Sequence, residues 1–312
     1  MEKLAELATK YKAGSIDKPA YIAAMYSRHH ADLFDYAQFL AQTNIQKIEI
    51  ADAGVIMTSR DRGLRIQCIP GDTRVAPIEI LNFGDYEKSQ AVMMERLAAD
   101  ATTIFDIGAN IGWYALNFAA AIPNAMVYAF EPLAATYAYL ETNIRLNTLK
   151  NIRPYNLGLS DNTGTLTFYV YPEGSWNASA ANLTERPDVK TVTCAVQTLD
   201  AFVAEAAVQV DFIKCDVEGA ELLVFQGGAA TIMRDKPVVC AEVLRKWSAK
   251  FNYSPNDVFA FFRQCGYHAF VVRQEKLSPF AAMDETTVDA NFIFLHAEKH
   301  QKFIQRYVEN KT

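Results

Sequence analysis

The feature that most restricts the fold of this chain is the run Thr102-Thr-Ile-Phe-Asp-Ile-Gly-Ala-Asn-Ile-Gly112, answered nineteen residues later by Glu131 in Tyr-Ala-Phe-Glu-Pro. An apolar strand that opens into glycines and then a helix brings backbone close to a ligand, because glycine has no Cβ and tolerates positive φ. A second strand ending on a carboxylate supplies an acceptor for ribose hydroxyls. Together they predict a nucleoside-binding strand, turn and helix.

The spacing separates two ligand classes. A dinucleotide fingerprint needs G-x-G-x-x-G, whose second glycine lets a pyrophosphate rest on the helix N-terminus. Here the order is Asp106-x-Gly108-x-Asn110-x-Gly112, with Asn110 in the place of that glycine. A pyrophosphate reader is disfavoured. An acid ahead of the glycines instead suits a ligand with a cationic amino group, as a methionine-derived cofactor has.

The alternation that follows is regular: strand Ile104 to Ile107, helix from Ile111, strand Met126 to Phe130, helix Ala134 to Leu146, strand Ile152 to Leu159. It argues for a doubly wound, mostly parallel α/β sheet covered on both faces. Two strands around 165–171 and 191–196 then flank a polar loop, Pro172 to Lys190. The parallel pattern resumes over Val210 to Val217 and Pro237 to Val243, followed by a helix from Asn256 to Cys265 and a closing pair, His268 to Val272 and Asn291 to Leu295. Before this core, residues 1–43 read as helices, and 45–81 as short antiparallel strands punctuated by Gly54, Gly63 and Pro70-Gly. A helix from Tyr86 to Ala99 leads into the core. The expected organisation is an N-terminal helical and small β appendage over 1–82 (a cap or homodimer arm), a catalytic domain over 83–297 and a C-terminal helix over 298–312.

A length of 312 residues with 51% hydrophobic content suits one large domain plus an appendage. A formal charge of −6, without a basic cluster, argues against a nucleic-acid partner. The expected partner is a small neutral or modestly charged molecule. Five cysteines, Cys68, Cys194, Cys215, Cys240 and Cys265, are widely spaced and without metal spacing, so they read as buried thiols of a reducing compartment. No apolar leader core and no run of 18 uncharged apolar residues occurs, so a cytoplasmic protein without a membrane partner is expected. The sequons at Asn177, Asn182 and Asn252 then carry no weight.

In an open parallel sheet, ligands gather at the carboxyl ends of the strands. The residues there are Asp106, Glu131, Ser160 with Asp161, Asp216 with Glu218, and Glu242. Such crowding of acids is costly unless hydroxyls, cations or a metal meet it. Glu131 is expected to accept both ribose hydroxyls and Asp161 to accept from an adenine amino group. Asp106 and the amides around Gly108 are expected to hold the methionine end. Asp216, Glu218 and Glu242 are the expected catalytic acids, either as a general base or with Asp216 and Glu242 on a magnesium ion that activates a substrate hydroxyl. Glu221 is read as a partner of the helix N-terminus, and Lys214 as a buried counter-charge. Ser175, Trp176 and Asn177 fall in the loop expected to overhang the pocket. Asn143 and Asn147, four apart on one helix, are expected to face solvent or cap its end. None of the five histidines enters the expected site.

Four blocks, Asp-Ile-Gly-Ala-Asn-Ile-Gly at 106–112, Phe-Glu-Pro at 130–132, Leu-Glu-Thr-Asn-Ile-Arg-Leu-Asn at 140–147 and Phe-Ile-Lys-Cys-Asp-Val-Glu-Gly-Ala-Glu at 212–221, together resemble the FkbM family of methyltransferases, across roughly residues 83–297. The resemblance implies a seven-stranded class I, Rossmann-like sheet with one antiparallel strand near its edge. It implies S-adenosylmethionine as methyl donor and O-methylation of a sugar or polyketide-type hydroxyl. By the same resemblance Asp106, Gly108, Asn110, Glu131 and Asp161 map onto cofactor contacts; the neighbouring Ala109, Gly112, Pro132, Ser160 and Asp216 complete the expected set. Cys215 stands where the family often has an aliphatic residue, and the first eighty residues match no family feature. N-methylation, a nucleoside-binding scaffold without chemistry and a nicotinamide oxidoreductase stay open at this point.

Overall fold

The computed structural model describes residues 3–171, 174–183 and 188–309, with only the backbone of residues 175–177. The chain opens with three helices, α1 (Leu4–Lys12), α2 (Lys18–Met25) and α3 (Ala31–Phe39), the last two joined by a π-helical turn over Tyr26–His30. Asp17 caps α2 by accepting from the Ala20 amide at 2.8 Å, with Pro19 inside the first turn. Leu7 is buried, whereas Ile22, Tyr26, Leu33 and Phe34 stay exposed.

Three antiparallel strands follow, β1 (Ile45–Ala51), β2 (Gly54–Ser59) and β3 (Arg65–Gln67), then α4 (Ala76–Phe83) and α5 (Lys88–Ala98). The expectation of strands as far as Leu81 is corrected here, because Pro77 at the head of α4 begins a helix. The alternating core runs β4 (Thr103–Ile107), α6 (Trp113–Ala121), β5 (Met126–Phe130), α7 (Ala134–Leu146) and β6 (Ile152–Tyr155). Next come β7 (Gly158–Ser160), β8 (Gly164–Tyr171), β9 (Gly174–Ser179) and β10 (Lys190–Thr198), which form a second sheet of order β7-β10-β8-β9. The remainder is α8 (Leu199–Ala206), β11 (Phe212–Cys215), α9 (Glu221–Gln226), α10 (Ala229–Asp235), β12 (Val238–Glu242), α11 (Arg245–Ser248), α12 (Pro255–Gln264), β13 (Tyr267–Arg273), β14 (Lys276–Phe280), β15 (Asn291–His296) and α13 (Gln301–Tyr307).

The main sheet has the order β14-β13-β15-β12-β11-β4-β5-β6. β6, β5, β4, β11 and β12 are parallel, and β15 runs antiparallel between β12 and β13. This is the doubly wound, mostly parallel arrangement expected, with an eighth strand, β14, added as a hairpin on β13. Neighbouring residues of each central strand enter different cores. Ile104, Val127, Phe212 and Val238 face one, with Met93, Leu116 and Phe118, while Phe105, Tyr128, Ile213 and Val239 face the other, with Phe225, Phe262 and Phe294. Burial on both faces is why these strands read as unbroken apolar runs.

The small sheet joins the first core through Ile45, Met57 and Ile66, and polar pairing fastens it to α7. Asn143, fully buried, accepts from the Gln67 amide at 2.7 Å and donates to the Ile111 carbonyl at 2.9 Å. Asn147 accepts from the Arg65 amide at 2.8 Å and donates to its carbonyl at 2.7 Å. Asn143 thereby corrects the expectation of a solvent-facing or capping residue, whereas Asn147 does cap the end of α7, its Nδ2 also donating to the Asn143 carbonyl at 2.7 Å. Four helical residues advance about 6 Å and two strand residues about 6.6 Å, so amides four apart on α7 match residues 65 and 67 of β3.

Among the described residues no helix is long and apolar enough to cross a membrane. All five cysteines are free, and Cys265 is the least buried.

The last turn before α13 depends on a neutral histidine. His300 is buried, and its Nδ1 accepts from the His296 amide at 2.9 Å. Burial, reinforced by Lys299, pushes the imidazole down to about 4 from an ordinary 6.5. A value lower in the folded than in the unfolded chain means that this contribution is complete above pH 6.5 and is lost as the pH falls toward 4. Melting temperatures across that window should therefore drop more in the wild type than in His300→Gln, where the ionising group is gone.

Candidate active site

A cavity of about 410 Å³ opens at the carboxyl ends of β4, β5, β11 and β12. Its wall brings together Gly108 to Ile111, Glu131 to Leu133, Asp216 to Glu218, and Glu242 with Leu244. Aromatic walls come from Tyr86, Trp113, Tyr114, Phe168 and Trp247. The volume is that of an ordinary small-molecule site.

The turn after β4 is built by close approach. Gly108 has φ 79°, and a Cβ there would lie 1.8 Å from the Asp216 carbonyl oxygen. Its amide and that of Ala109 both donate to the Phe130 carbonyl, at 3.0 and 2.9 Å. They are directed at β5, which corrects the expectation that they hold a ligand. Asn110, at φ 50°, donates its amide to Glu131 Oε2 at 3.0 Å, and its own Oδ1 accepts from the Ile111 amide at 2.7 Å. Gly112, at φ 97°, lies behind the wall, where a Cβ would meet Leu140 Cδ1 at 2.6 Å.

Glu131 is 6% exposed and faces the cavity. Oε2 takes the Asn110 amide and Oε1 the Leu133 amide at 2.9 Å, so each oxygen keeps acceptor capacity for a ligand. Burial pushes its carboxyl up to about 7, against the pull of those two amides. Pro132 lies beside it on the wall.

Asp106 is placed differently from its expected role. It is fully buried beneath the turn, neither carboxylate oxygen has a hydrogen-bond partner, and Lys214 Nζ stands 3.9 Å from Oδ1. Burial raises its carboxyl to about 6 despite Lys214. Lys214 is the counter-charge expected: Nζ is 3.1 Å from Asp216 Oδ2 and 4.9 Å from the centre of the Tyr114 ring. Burial alone would lower the ammonium's pKa, but Asp216 and Asp106 outweigh it and hold it above its usual value.

Ser160 and Asp161 do not line the cavity. The strand expected from Ile152 to Leu159 breaks at Asn156, whose Nδ2 donates to the Glu131 and Pro132 carbonyls at 2.9 and 2.8 Å. β7 then pairs with β10 in the second sheet. Ser160 is buried there, its hydroxyl donating to Asp161 at 3.1 Å, and Asp161 faces outward.

The three expected catalytic acids do meet. One carboxylate oxygen from each of Asp216, Glu218 and Glu242 lies within 4.8 Å of the others. Burial, followed by the charge of Asp216, holds Glu218 and Glu242 well above the usual carboxylate range. Glu221 is turned away: Oε1 accepts from the Val217 and Gly219 amides, each at 3.1 Å, so it shapes the loop. The side chains of Ser175, Trp176 and Asn177 lie outside the described residues; their backbone forms β9 where a loop was expected.

Glu87 was not anticipated. At φ 44° it lines the cavity, accepts from the Tyr114 hydroxyl and accepts from Asn291 Nδ2 at 2.6 Å. Its partners lie 27 and 204 residues away, so no local pattern marks it. Arg74, Lys246 and Trp247 also line the cavity without having been expected there. Five carboxylates (Glu87, Glu131, Asp216, Glu218, Glu242) and three cations (Arg74, Lys214, Lys246) line the cavity. The formal acidic excess suits a cationic ligand.

Residues 106–269, more than half of the chain, match the family model described as the methyltransferase FkbM domain. Methyltransferase 1 of Beauveria bassiana is 30% identical over 146 residues, covering 41% of this chain and 59% of that protein. The 2-O-methyltransferase NoeI of Sinorhizobium fredii is 28% identical over 147 residues, 43% of this chain and 60% of that protein. The chain thus spans less than two thirds of either relative. A solved methyltransferase FkbM from Methylobacillus flagellatus KT superposes with a TM-score of 0.42 at 17% identity, over 62% of this chain and 44% of that one.

The turn's dependence on close approach sets a test. Gly108→Ala should lower stability by about 3 kcal/mol, since the Cβ meets backbone at a left-handed φ. Gly112→Ala should cost less, because a leucine side chain can yield. Urea midpoints in the reverse order would contradict this account.

Proposed function

The chain belongs to the FkbM methyltransferase family, and from that premise we propose that it transfers a methyl group from S-adenosylmethionine to a hydroxyl of a small molecule, of the sugar or polyketide type. The observation that carries this reading is that Glu131 and the cluster of Asp216, Glu218 and Glu242 share one cavity. The residues present fit the donor: spare acceptor capacity on Glu131 suits a ribose diol, and the acidic lining suits a sulfonium and an ammonium. When bound, S-adenosylmethionine supplies an electrophilic methyl carbon. Family membership speaks against the nicotinamide alternative.

The protein's work is placement and proton handling. Glu131 orients the nucleoside, and Trp113, Trp247 and Tyr86 keep water from the cavity. Near-attack positioning of an oxygen can remove several kcal/mol of barrier. An attacking hydroxyl must shed its proton, and carboxylates whose proton affinity has been raised are suited to take it. Glu218 and Glu242 fit that description, and Asp216, kept beside Lys214, is the third acceptor in the cluster. Likeness to a 2-O-methyltransferase supports O- over N-methylation. A second reading rests on the spacing within 4.8 Å: three carboxylate oxygens that close suit a hard divalent cation such as magnesium.

Calorimetric titration with S-adenosylmethionine should show Glu131→Ala weakened by at least about tenfold, the loss of a charge-assisted hydrogen bond. Wild-type affinity should fall as the pH drops through about 7, where Glu131 gains a proton and loses acceptor capacity. Asp216→Ala should keep donor affinity while turnover on a panel of hydroxylated sugars and macrolides, read as a gain of one methyl mass, falls about 100-fold or more. A variant at Asp216 that no longer binds the donor would overturn this division of roles. Turnover that is lost with a chelator and returns with magnesium would select the metal reading; turnover indifferent to both would leave proton acceptance by the carboxylates.

A further inference from the structure

The loop between β11 and α9 carries two of the three clustered acids in a conformation that its residues do not favour. Glu218 sits at φ 55°, in the left-handed region, followed by Gly219 at φ 100°. Such a conformation persists only where surroundings over-determine it. Glu221 gathers the Val217 and Gly219 amides from within the loop. The Tyr253 hydroxyl donates to the Gly219 carbonyl at 2.7 Å, and a Cβ on Gly219 would lie 2.8 Å from Trp247 Cβ. A further support arrives from the second sheet. Ser179, fully buried at the end of β9, donates its hydroxyl to the Glu218 carbonyl at 2.9 Å.

The geometry points to Ser179 as a positioning residue: by fixing the Glu218 carbonyl, the second sheet keeps the Glu218 side chain within reach of Asp216 and Glu242. The kinetic part of this inference rests on the proposed methyl transfer; the structural part does not. Removing the hydroxyl leaves a carbonyl without its partner and a strained residue without one of its holds. The peptide after Glu218 is then free to turn, the carboxylate moves toward solvent, and Glu242 loses a repelling neighbour. The same second sheet contributes Phe168 and Ala178 to the cavity wall, so one sheet supports both the wall and the Glu218 carbonyl.

The test is amide hydrogen exchange across residues 216–221. In Ser179→Ala the Gly219 amide, bonded to Glu221 in the wild type, should exchange about tenfold faster, and Ser179→Cys, which keeps the volume with a weaker donor, should lie between. With an active acceptor in hand, Ser179→Ala should lower kcat about tenfold at unchanged donor affinity, the worth of one hydrogen bond, and should add nothing on a Glu218→Gln background. Unchanged exchange in both serine variants, or kinetic losses that multiply, would overturn the inference. Faster exchange in a protein that binds no S-adenosylmethionine would leave the positioning role standing and overturn the methyl-transfer reading instead.

Discussion

A buried ammonium between two strand-end carboxylates holds this site together. The parallel register of β4 and β11 sets Lys214 beside Asp106, and the same ladder continues to the Asp216 amide, which donates to the Ile107 carbonyl at 3.0 Å. Lys214 therefore faces Asp106 below and Asp216 above. An ammonium left without either carboxylate at such depth would be strongly destabilising, and the two acids share its compensation. The two strands come this close because Gly108 leaves room for the Asp216 carbonyl. One missing Cβ and one ammonium thus decide how far the acids of β11 lie from the turn of β4.

Around that pair, each added segment supplies a different part of the cavity. The small N-terminal sheet is pinned by the two asparagines of α7, and the segments after it deliver Arg74, Tyr86 and Glu87 to the wall. The second sheet brings Phe168 and Ala178 and grips the Glu218 carbonyl through Ser179. The mini-core of Tyr171, Leu183 and Trp247 ties this sheet to α11. The donor end of the proposed site, at Glu131, belongs to the parallel sheet, whereas other parts of the wall come from the N-terminal segments and the second sheet. Conserving one chemistry while varying acceptors is physically straightforward in such a layout, since wall segments can change without disturbing the β4–β11 pair.

Much of this was legible locally. β5 and α7 begin and end where the apolar runs and the helical period place them, and the row of strand-end acids placed Glu131, Asp216, Glu218 and Glu242 on one rim. Misreadings arose wherever a residue's partner is distant. Asn143 looks like a solvent-facing or capping helix residue until β3 is alongside it. Asp161 looks like a strand-end ligand until Asn156 turns the chain into another sheet, and the Gly108 and Ala109 amides look free until β5 offers them the Phe130 carbonyl.

The amino-acid order alone determined the layer architecture, the chain of strand and helix, and which residue types crowd one edge, because these follow from periodicity and turn chemistry within a few residues. Only the tertiary structure decided which of those groups face a ligand and which face each other. Depth of burial, strand register and the choice of sheet for β7 depend on packing among segments as much as 204 residues apart, as between Glu87 and Asn291. Those choices put Asp106 under the floor, Asp161 at the surface and Glu87 in the wall.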